Sequence, residues 1–247
     1  MAVTRPWQAD DPLAGLLQAE GAAPVVVPLV RIAPVDDRTE LIAAAGRLEE
    51  YDWIVFTSAN AVRMMAPLVA ARAGGSGKAM PHVAVVGPAT AAAVGEMLGW
   101  ETDAMPPRYT GAVLADAMAA VRPLRGARVL WPRAADAREA LPGDLSAAGA
   151  IVDAPVTYHT LEDRAGARRL CAMMARGEID VVTLTSPSAA TCLAGTDPQT
   201  EGVVIAAIGP STAEAAMDAG LPVHLVAERH TIPGLVDALR AYLARNT

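Results

Sequence analysis

The sequence predicts an α/β protein built from two doubly wound parallel sheets, and three observations predict it. Short apolar runs of strand type alternate along the chain with Ala-rich helical segments, the order that specifies βαβ units with right-handed crossovers. The core must be aliphatic, because 53% of the 247 residues are apolar and only 4% aromatic, a composition that suits helices packed on a parallel sheet. The third observation is an internal repeat. Moving the N-terminal segment by 128 positions pairs Arg5 with Arg133, Ala9 with Ala137, Leu13 with Leu141, Gly15 with Gly143, Leu17 with Leu145 and Gly21 with Gly149, without a gap. Such register signals a duplicated unit.

In chain order, residues 2–4 read as a short buried strand ended by Arg5-Pro6. Residues 13–20 are a helix closed by Gly21, a C-terminal cap. Residues 25–32 form a second apolar strand interrupted by Pro28, which demotes it to an edge or marks a bend. Pro34 opens a loop, and residues 39–48 return to helical spacing. Residues 53–56 are a continuous apolar run of strand type, stopped by Thr57-Ser58 and followed by a helix from Ala59. The same grammar returns at 181–184 with Thr185-Ser186, again 128 residues on, with Asp52 matched to Asp180 and Ala61 to Ala189.

Residues 83–86 are the next strand, broken by Gly87-Pro88 and followed by Thr90 and an Ala-rich helix to Gly99. Its counterpart is 205–208, Gly209-Pro210, Thr212 and a helix to Gly220, now 122 residues on because the loop before it is six residues shorter. The longer first loop carries AGGSGKAM and reads as a surface turn. Each half closes with a last helix, 111–121 and 233–245. One repeat thus holds five strands, for which the flavodoxin-like order 2-1-3-4-5 is common, with a ligand crevice at the carboxyl ends of strands 1 and 3. The repeat leaves two ways to share strands. A simple tandem splits the chain near Leu124; alternatively the N-terminal unit pairs with the C-terminal half, and the residues between form an inserted domain.

A net charge of −7 argues against a surface that tracks nucleic-acid phosphates, which needs clustered Lys and Arg. It leaves room for an anionic small ligand, since helix ends and single arginines act locally. Cys171 and Cys192 are too few and too far apart for a disulfide framework or a CxxC site, which fits a reducing cytoplasm. The start MAVTRPWQADD lacks the basic and apolar regions of a signal peptide, and charges or prolines interrupt every apolar run before a membrane span forms.

Each TS or GP turn delivers the chain into a helix whose first amides are unsatisfied, so all four turns are potential anion sites. Ser58, Thr90, Ser186, Ser188 and Thr212 add hydroxyl donors there; the plain alternative is ordinary N-caps and turn residues. Arg5 and Arg133 follow the first strand of each copy, where a guanidinium can fork onto a carboxylate or simply make a surface ion pair. Tyr158 sits in VDAPVTYHT. Its phenol, with an ordinary pKa near 10, stays protonated at neutral pH and can donate to a leaving hydroxyl, or serve structurally with a hydrogen-bonded tip. GGSGKA lacks the upstream glycine and the Ser or Thr of a P-loop, and no GxGxxG follows a strand. His82, His159, His224 and His230 show no ligand spacing, so no metal site is expected. No Ser or Cys occupies a nucleophile elbow.

Taken together, DWIVFTSANAV, VAVVGPATA, LWPRAADAREALPGDLSAAGAIVDAPVTYHT, DVVTLTSPSA, AAIGPSTAEAA and GLPVHLVAERHTIPGLVDAL resemble uroporphyrinogen-III synthase over nearly the whole chain. The resemblance implies two α/β domains, 1–34 with 162–247 and an inserted 35–161, joined by linker strands 32–35 and 158–161 with an active-site cleft between them. It implies cyclisation of the linear tetrapyrrole hydroxymethylbilane, with loss of water and inversion of the last pyrrole ring, and no metal or organic cofactor. Tyr158 then matches the family's catalytic tyrosine, and Ser58, Thr90, Ser186, Ser188 and Thr212 its Ser/Thr turns. Arg5 and Arg133 rest on their place after strand 1. A cytoplasmic monomer acting on a polycarboxylate small molecule, without nucleic acid or membrane, is the resulting expectation. A two-domain binding or regulatory protein for an anionic metabolite is the rival, and the retained Tyr158 tells against it.

Overall fold

The computed structural model describes residues 1–6, 11–71, 80–106, 111–137 and 140–246. The AGGSGKAM loop lies, apart from Met80, outside the described residues. The chain divides into two compact units, Met1–Arg31 with Thr160–Thr247, and Ile32–His159.

The opening segment carries β1 (Ala2–Val3), α1 (Pro12–Ala19), β2 (Val25–Val26) and β3 (Val30–Pro34). Pro28 cuts the apolar run that the sequence reads as one strand, so that β2 and β3 belong to different sheets. Asp11 starts α1 by accepting from the amides of Leu13 and Ala14 at 2.9 and 3.1 Å, with Pro12 in the first turn where no amide is needed. Gly21, at φ 84°, ends it.

The inserted segment runs through α2 (Thr39–Gly46), a 3-10 turn (Leu48–Glu50), β4 (Trp53–Phe56), α3 (Ala59–Ala70), β5 (His82–Val85), α4 (Pro88–Leu98) and α5 (Gly111–Val121). It continues with β6 (Arg128–Leu130), β7 (Arg133–Ala134), α6 (Ala140–Ala147), β8 (Ile151–Asp153) and β9 (Val156–Glu162). The remainder is α7 (Arg164–Ala175), β10 (Val181–Leu184), α8 (Pro187–Ala194), β11 (Val204–Ala207), α9 (Pro210–Asp218), β12 (Leu225–Val226) and α10 (Ile232–Asn246). The chain leaves the first unit within β3 and re-enters it within β9, and these two strands are neighbours in a three-stranded sheet ordered β3-β9-β7.

The first unit's sheet has the order β12-β11-β10-β1-β2, parallel throughout. In the second unit the order is β5-β4-β6-β8, also parallel, extended by a bridge from Ala84 to Ala104. With Ala104 counted as the outermost position, the two orders match: β12 with Ala104, β11 with β5, β10 with β4, β1 with β6 and β2 with β8. The chain enters them at different points. In the second unit α5 leads directly into β6, whereas the corresponding helix of the first, α10, lies at the opposite end of the chain from β1. The first unit is therefore a circular permutant of the second.

The strand sequences follow from burial on both faces. Ile54 and Phe56 of β4 pack in one apolar cluster and Trp53 and Val55 in another, so the run has no polar alternation. β10 likewise sends Val182 and Leu184 to one side and Val181 to the other. The buried hydroxyls beside them are satisfied by strand carbonyls: Thr4 donates to Thr183 O at 2.6 Å and Thr183 to Ala2 O at 3.0 Å. At the outer edges, pairing starts at Ala84 and Ala206, leaving the preceding amides to side chains. Asp103 Oδ2 accepts from Val83 N at 2.7 Å, and His224 Nδ1 from Ile205 N at 3.0 Å.

At Gly166, in the first turn of α7, a Cβ would stand 2.0 Å from the carbonyl oxygen of Pro28, so the helix start and the β2–β3 bend meet backbone to backbone only because residue 166 has no side chain. Gly166→Ala is expected to lose roughly 1–3 kcal/mol, read as a lower urea midpoint at unchanged slope. Gly143→Ala, in α6 with open space around its Cβ, is the control and is expected to be neutral or to gain up to about 1 kcal/mol.

Candidate active site

In the second unit β4 and β6 lie side by side at the centre of the sheet, with Trp53 opposite Val129 and Ile54 opposite Leu130. β4 ends in the Thr57-Ser58 turn. Ser58 is extended, at φ −159° and ψ 151°, which lets its Oγ turn back and accept from the Ala61 amide at 3.1 Å as the N-cap of α3. β6 is followed directly by Trp131, whose buried indole donates to Thr57 Oγ1 at 3.2 Å. Two residues later β7 begins and takes β9 as its neighbour, with Ala134 opposite Tyr158. Thr157 pins this pairing by donating to Arg133 O at 2.9 Å.

That sequence of turns carries the Tyr158 phenol to Ser58, Oη to Oγ, at 2.8 Å. Tyr158 is only 6% exposed and belongs to the apolar cluster that holds Phe56 and Leu130, with Ile32 packed against it. Burial pushes the phenol above its ordinary pKa and the negative charge of Asp136 adds to this, while hydrogen bonds from Ser58 and Asn60 oppose it. The result is a phenol that keeps its proton at neutral pH and has Ser58 as its hydrogen-bond partner. Chemically it is a proton donor.

The other predicted residues of this unit are occupied differently. Arg133 donates to the carbonyls of Ala154 and Ala134, each at 3.3 Å, and stands over the Trp131 ring with 5.9 Å to its centroid. Its guanidinium ties the β6–β7 turn to the β8–β9 connection, and among the described residues it forms no carboxylate fork. Thr90 lies in the first turn of α4 and is 5% exposed, so the surface that the Gly87-Pro88 turn offers is backbone rather than hydroxyl.

The first unit repeats the geometry without the phenol. Ser186 has φ −153° and ψ 151° and caps α8 through the Ala189 amide at 3.2 Å, and its Oγ lies 3.4 Å from that of Ser188. Thr212, the counterpart of Thr90 at the start of α9, is 2% exposed. Arg5 Nη1 stands 3.5 Å from the buried carboxylate of Asp11, near enough for charge attraction but outside hydrogen-bond geometry, since that nitrogen has no hydrogen-bond partner. The position 128 before Tyr158 is Val30, a buried β3 residue.

Asn60, Thr57 and Trp131 were not among the predicted residues. The repeat itself carried the signal for Asn60, because its counterpart 128 residues on is Ser188. Among the described residues no cluster of three or more His, Cys, Asp or Glu is placed to hold a metal, and no helix is long and apolar enough to cross a membrane.

The model of the family described as uroporphyrinogen-III synthase HemD matches residues 11–237. A putative uroporphyrinogen-III synthase of Methanothermobacter thermautotrophicus is 32% identical, covering 97% of this chain and 96% of that protein. The uroporphyrinogen-III synthase of Synechococcus elongatus is 27% identical over 99% and 95%. A crystal structure of a mutant uroporphyrinogen III synthase from Thermus thermophilus shares the fold at a TM-score of 0.62 and 21% identity, covering 95% of each chain. The corresponding enzyme of Helicobacter pylori gives 0.58 at 16%, covering 90% and 94%.

The paired caps allow an internal comparison. Ser186→Ala is expected to lose about 1 kcal/mol of stability as a lost cap, and Ser58→Ala about 2 kcal/mol, because the phenol also loses a partner; urea denaturation measures both. The raised phenol also fixes a pH dependence. The folded state holds the Tyr158 proton more tightly than the unfolded chain, so this contribution is fully present below pH about 10 and is lost as pH rises through the higher folded value. Tyr158→Phe is expected to remove part of the alkaline fall in stability, while Tyr51, raised chiefly by burial, retains its own part.

Proposed function

The chain belongs to the uroporphyrinogen-III synthase family, and from that premise we propose that Tyr158 is its general acid. The activity is that of a cyclising lyase of tetrapyrrole biosynthesis, closing hydroxymethylbilane with inversion of the last pyrrole ring and loss of water. The observation that carries the role of Tyr158 is its phenol, buried, kept protonated and held 2.8 Å from Ser58.

In this reading the phenol proton passes to the terminal hydroxyl, the carbon–oxygen bond breaks as water leaves, and a cationic azafulvene forms beside the phenolate. The substituted carbon of the last ring attacks that cation to give a spiro intermediate. Fragmentation and re-closure then join the inverted ring at its free carbon, and the proton lost from that carbon restores the phenol. Much of the remaining catalysis is positional, since a reactive bilane must be kept from closing directly.

The acetate and propionate groups of the substrate are suited to helix N-termini. Ser58, Ser186 and Ser188 are read as hydroxyl donors at two of these turns. Thr90 and Thr212 mark the other two, where buried hydroxyls leave the contact to first-turn amides. Arg5 is the better placed of the two arginines, because its Nη1 lacks a hydrogen bond, whereas Arg133 is engaged by carbonyls. The two units are read as the two domains of the enzyme, 1–34 with 162–247 and 35–161. Free Cys171 and Cys192 agree with a cytoplasmic protein, and a monomer is the assembly to test by sedimentation.

Incubation with freshly prepared hydroxymethylbilane, followed by oxidation and separation of isomers, is expected to yield the asymmetric type III product. Recovery of the symmetric isomer alone, which forms spontaneously, would overturn the reading. Tyr158→Phe is expected to lower kcat by about 100-fold, the low end for a lost general acid.

A further inference from the structure

The second unit holds another buried phenol, Tyr51, between the 3-10 turn and β4. Its Oη donates to Asp153 Oδ2 at 2.5 Å. Arg47, just past α2, donates from Nη2 to the same carboxylate oxygen at 3.1 Å and from Nε to the Tyr51 oxygen at 3.3 Å. Arg128 of β6 stands over the Tyr51 ring, 5.3 Å from its centroid, with Nη2 3.8 Å from Asp153 Oδ2 and Nη1 donating to Glu50 Oε2 at 3.0 Å. Two hydrogen bonds and an ion pair thus converge on one carboxylate oxygen, a charge-assisted set that is stronger than its neutral equivalent.

Asp153 is the last residue of β8, where the chain turns toward β9 and Tyr158. The three carbonyls of this connection are tied in order to the segment after β6. Trp131 N donates to Asp153 O at 2.8 Å, Arg133 Nε to Ala154 O at 3.3 Å and Arg133 N to Pro155 O at 3.0 Å. Beyond them Ala135 N donates to Tyr158 O at 2.9 Å. The Asp153 side chain adds an anchor to a different part of the unit, the chain from α2 to β4, and β4 is the strand that delivers Ser58 to the same phenol.

The first unit builds a sheet of the same order without this cluster. Moved by 128 positions, Tyr51 falls on Ile179 and Asp153 on Val25, and both of these pack in one apolar cluster. Apolar side chains in place of a polar network are often neutral or stabilising, so sheet stability alone does not call for the network. The unit with Val30 at the place of Tyr158 has the apolar pair, and the unit with the phenol has the polar one.

We propose that Asp153, gripped by Tyr51 and Arg47, is a positioning residue for Tyr158: it fixes the start of the β8–β9 connection so that the phenol is held at Ser58. The proposal rests on the reading of Tyr158 as the general acid.

The test uses the full-length protein labelled with 13C at the tyrosine ζ carbon, so that each phenol is titrated by NMR, alongside steady-state kinetics on hydroxymethylbilane. Asp153→Ala is expected to lower kcat by about tenfold with KM changed less than about twofold, since a displaced acid costs rate rather than binding. It is expected to move the Tyr158 titration upward, because the Ser58 contact that favours the phenolate weakens. Loss of a negative charge by itself would move that titration down, so the upward direction reads position. Tyr51→Phe, which removes only the hydroxyl, is expected to do the same to a smaller extent, and Asp153→Asn, which keeps an acceptor, to recover part of each effect. In a Ser58→Ala background the kcat loss from Asp153→Ala is expected to shrink below about threefold, since the contact it protects is already gone. A Tyr158 titration that stays or falls in Asp153→Ala overturns the proposal, as does a kcat loss undiminished by Ser58→Ala; if Asp153→Ala does not fold, the same readouts in Tyr51→Phe decide it. Should the titration rise while Tyr158→Phe keeps full turnover, the positioning stands and the reading of Tyr158 as the acid is overturned.

Discussion

Parallel pairing is the constraint from which the rest of the molecule follows. Neighbouring parallel strands cannot be joined by a tight turn, so each must hand over to a helix that carries the chain back. Every handover occurs at the carboxyl end of a strand and opens a helix N-terminus there. The Thr57-Ser58, Gly87-Pro88, Thr185-Ser186 and Gly209-Pro210 turns are four results of this one rule. They gather unsatisfied amides at one end of each sheet, which is why a small aliphatic fold with a net negative charge can still present anion-binding positions.

The two units then diverge through a few side chains. Ser58 and Ser186 share their backbone angles and their capping role, yet only Ser58 meets a phenol. The difference lies in the strands that pass nearby, with Tyr158 on β9 and Val30 at the matching place on β3. A duplicated scaffold has thereby kept two sets of turns and set a phenol at one of them. Within the second unit the phenol is held in layers: packing buries the residue, Ser58 meets its oxygen, and the Ala61 amide fixes Ser58.

Much of this was legible in the sequence, and the illegible part has physical causes. Residues 53–56 and 181–184 announced themselves because both faces are buried, and the helix at 111–121 because nothing in its Ala-rich run competes with helical spacing. Pro28 was seen as an interruption, but whether it bends one strand or separates two depends on which sheet each piece joins. β7, β12 and the Ala104 bridge are too short to leave a periodic signal. In the site, Tyr158 stood out as a lone phenol in an apolar strand, whereas its partner Ser58 lies 100 residues away and meets it through the β7–β9 pairing. Thr90 and Thr212 open helices after the Gly-Pro turns as the spacing has it, but both are buried, which spacing alone does not encode. Arg133 follows β6 as the repeat has it, and carbonyls near its own turn engage its guanidinium, which the repeat does not encode.

The permuted order of the first unit has a consequence for how the chain is made. The second unit is drawn from one uninterrupted stretch, so all of its strands exist once β9 has been synthesised. β1 and β2 appear at the very start, but β10, which completes the centre of their sheet by covering the other edge of β1, follows nearly two hundred residues later. During translation the first unit therefore waits as an unfinished edge while the second has everything it needs to fold. The ribosome delivers the domains in the reverse of the order in which their strands begin, and α10 joins a sheet whose inner strand β1 is made long before it.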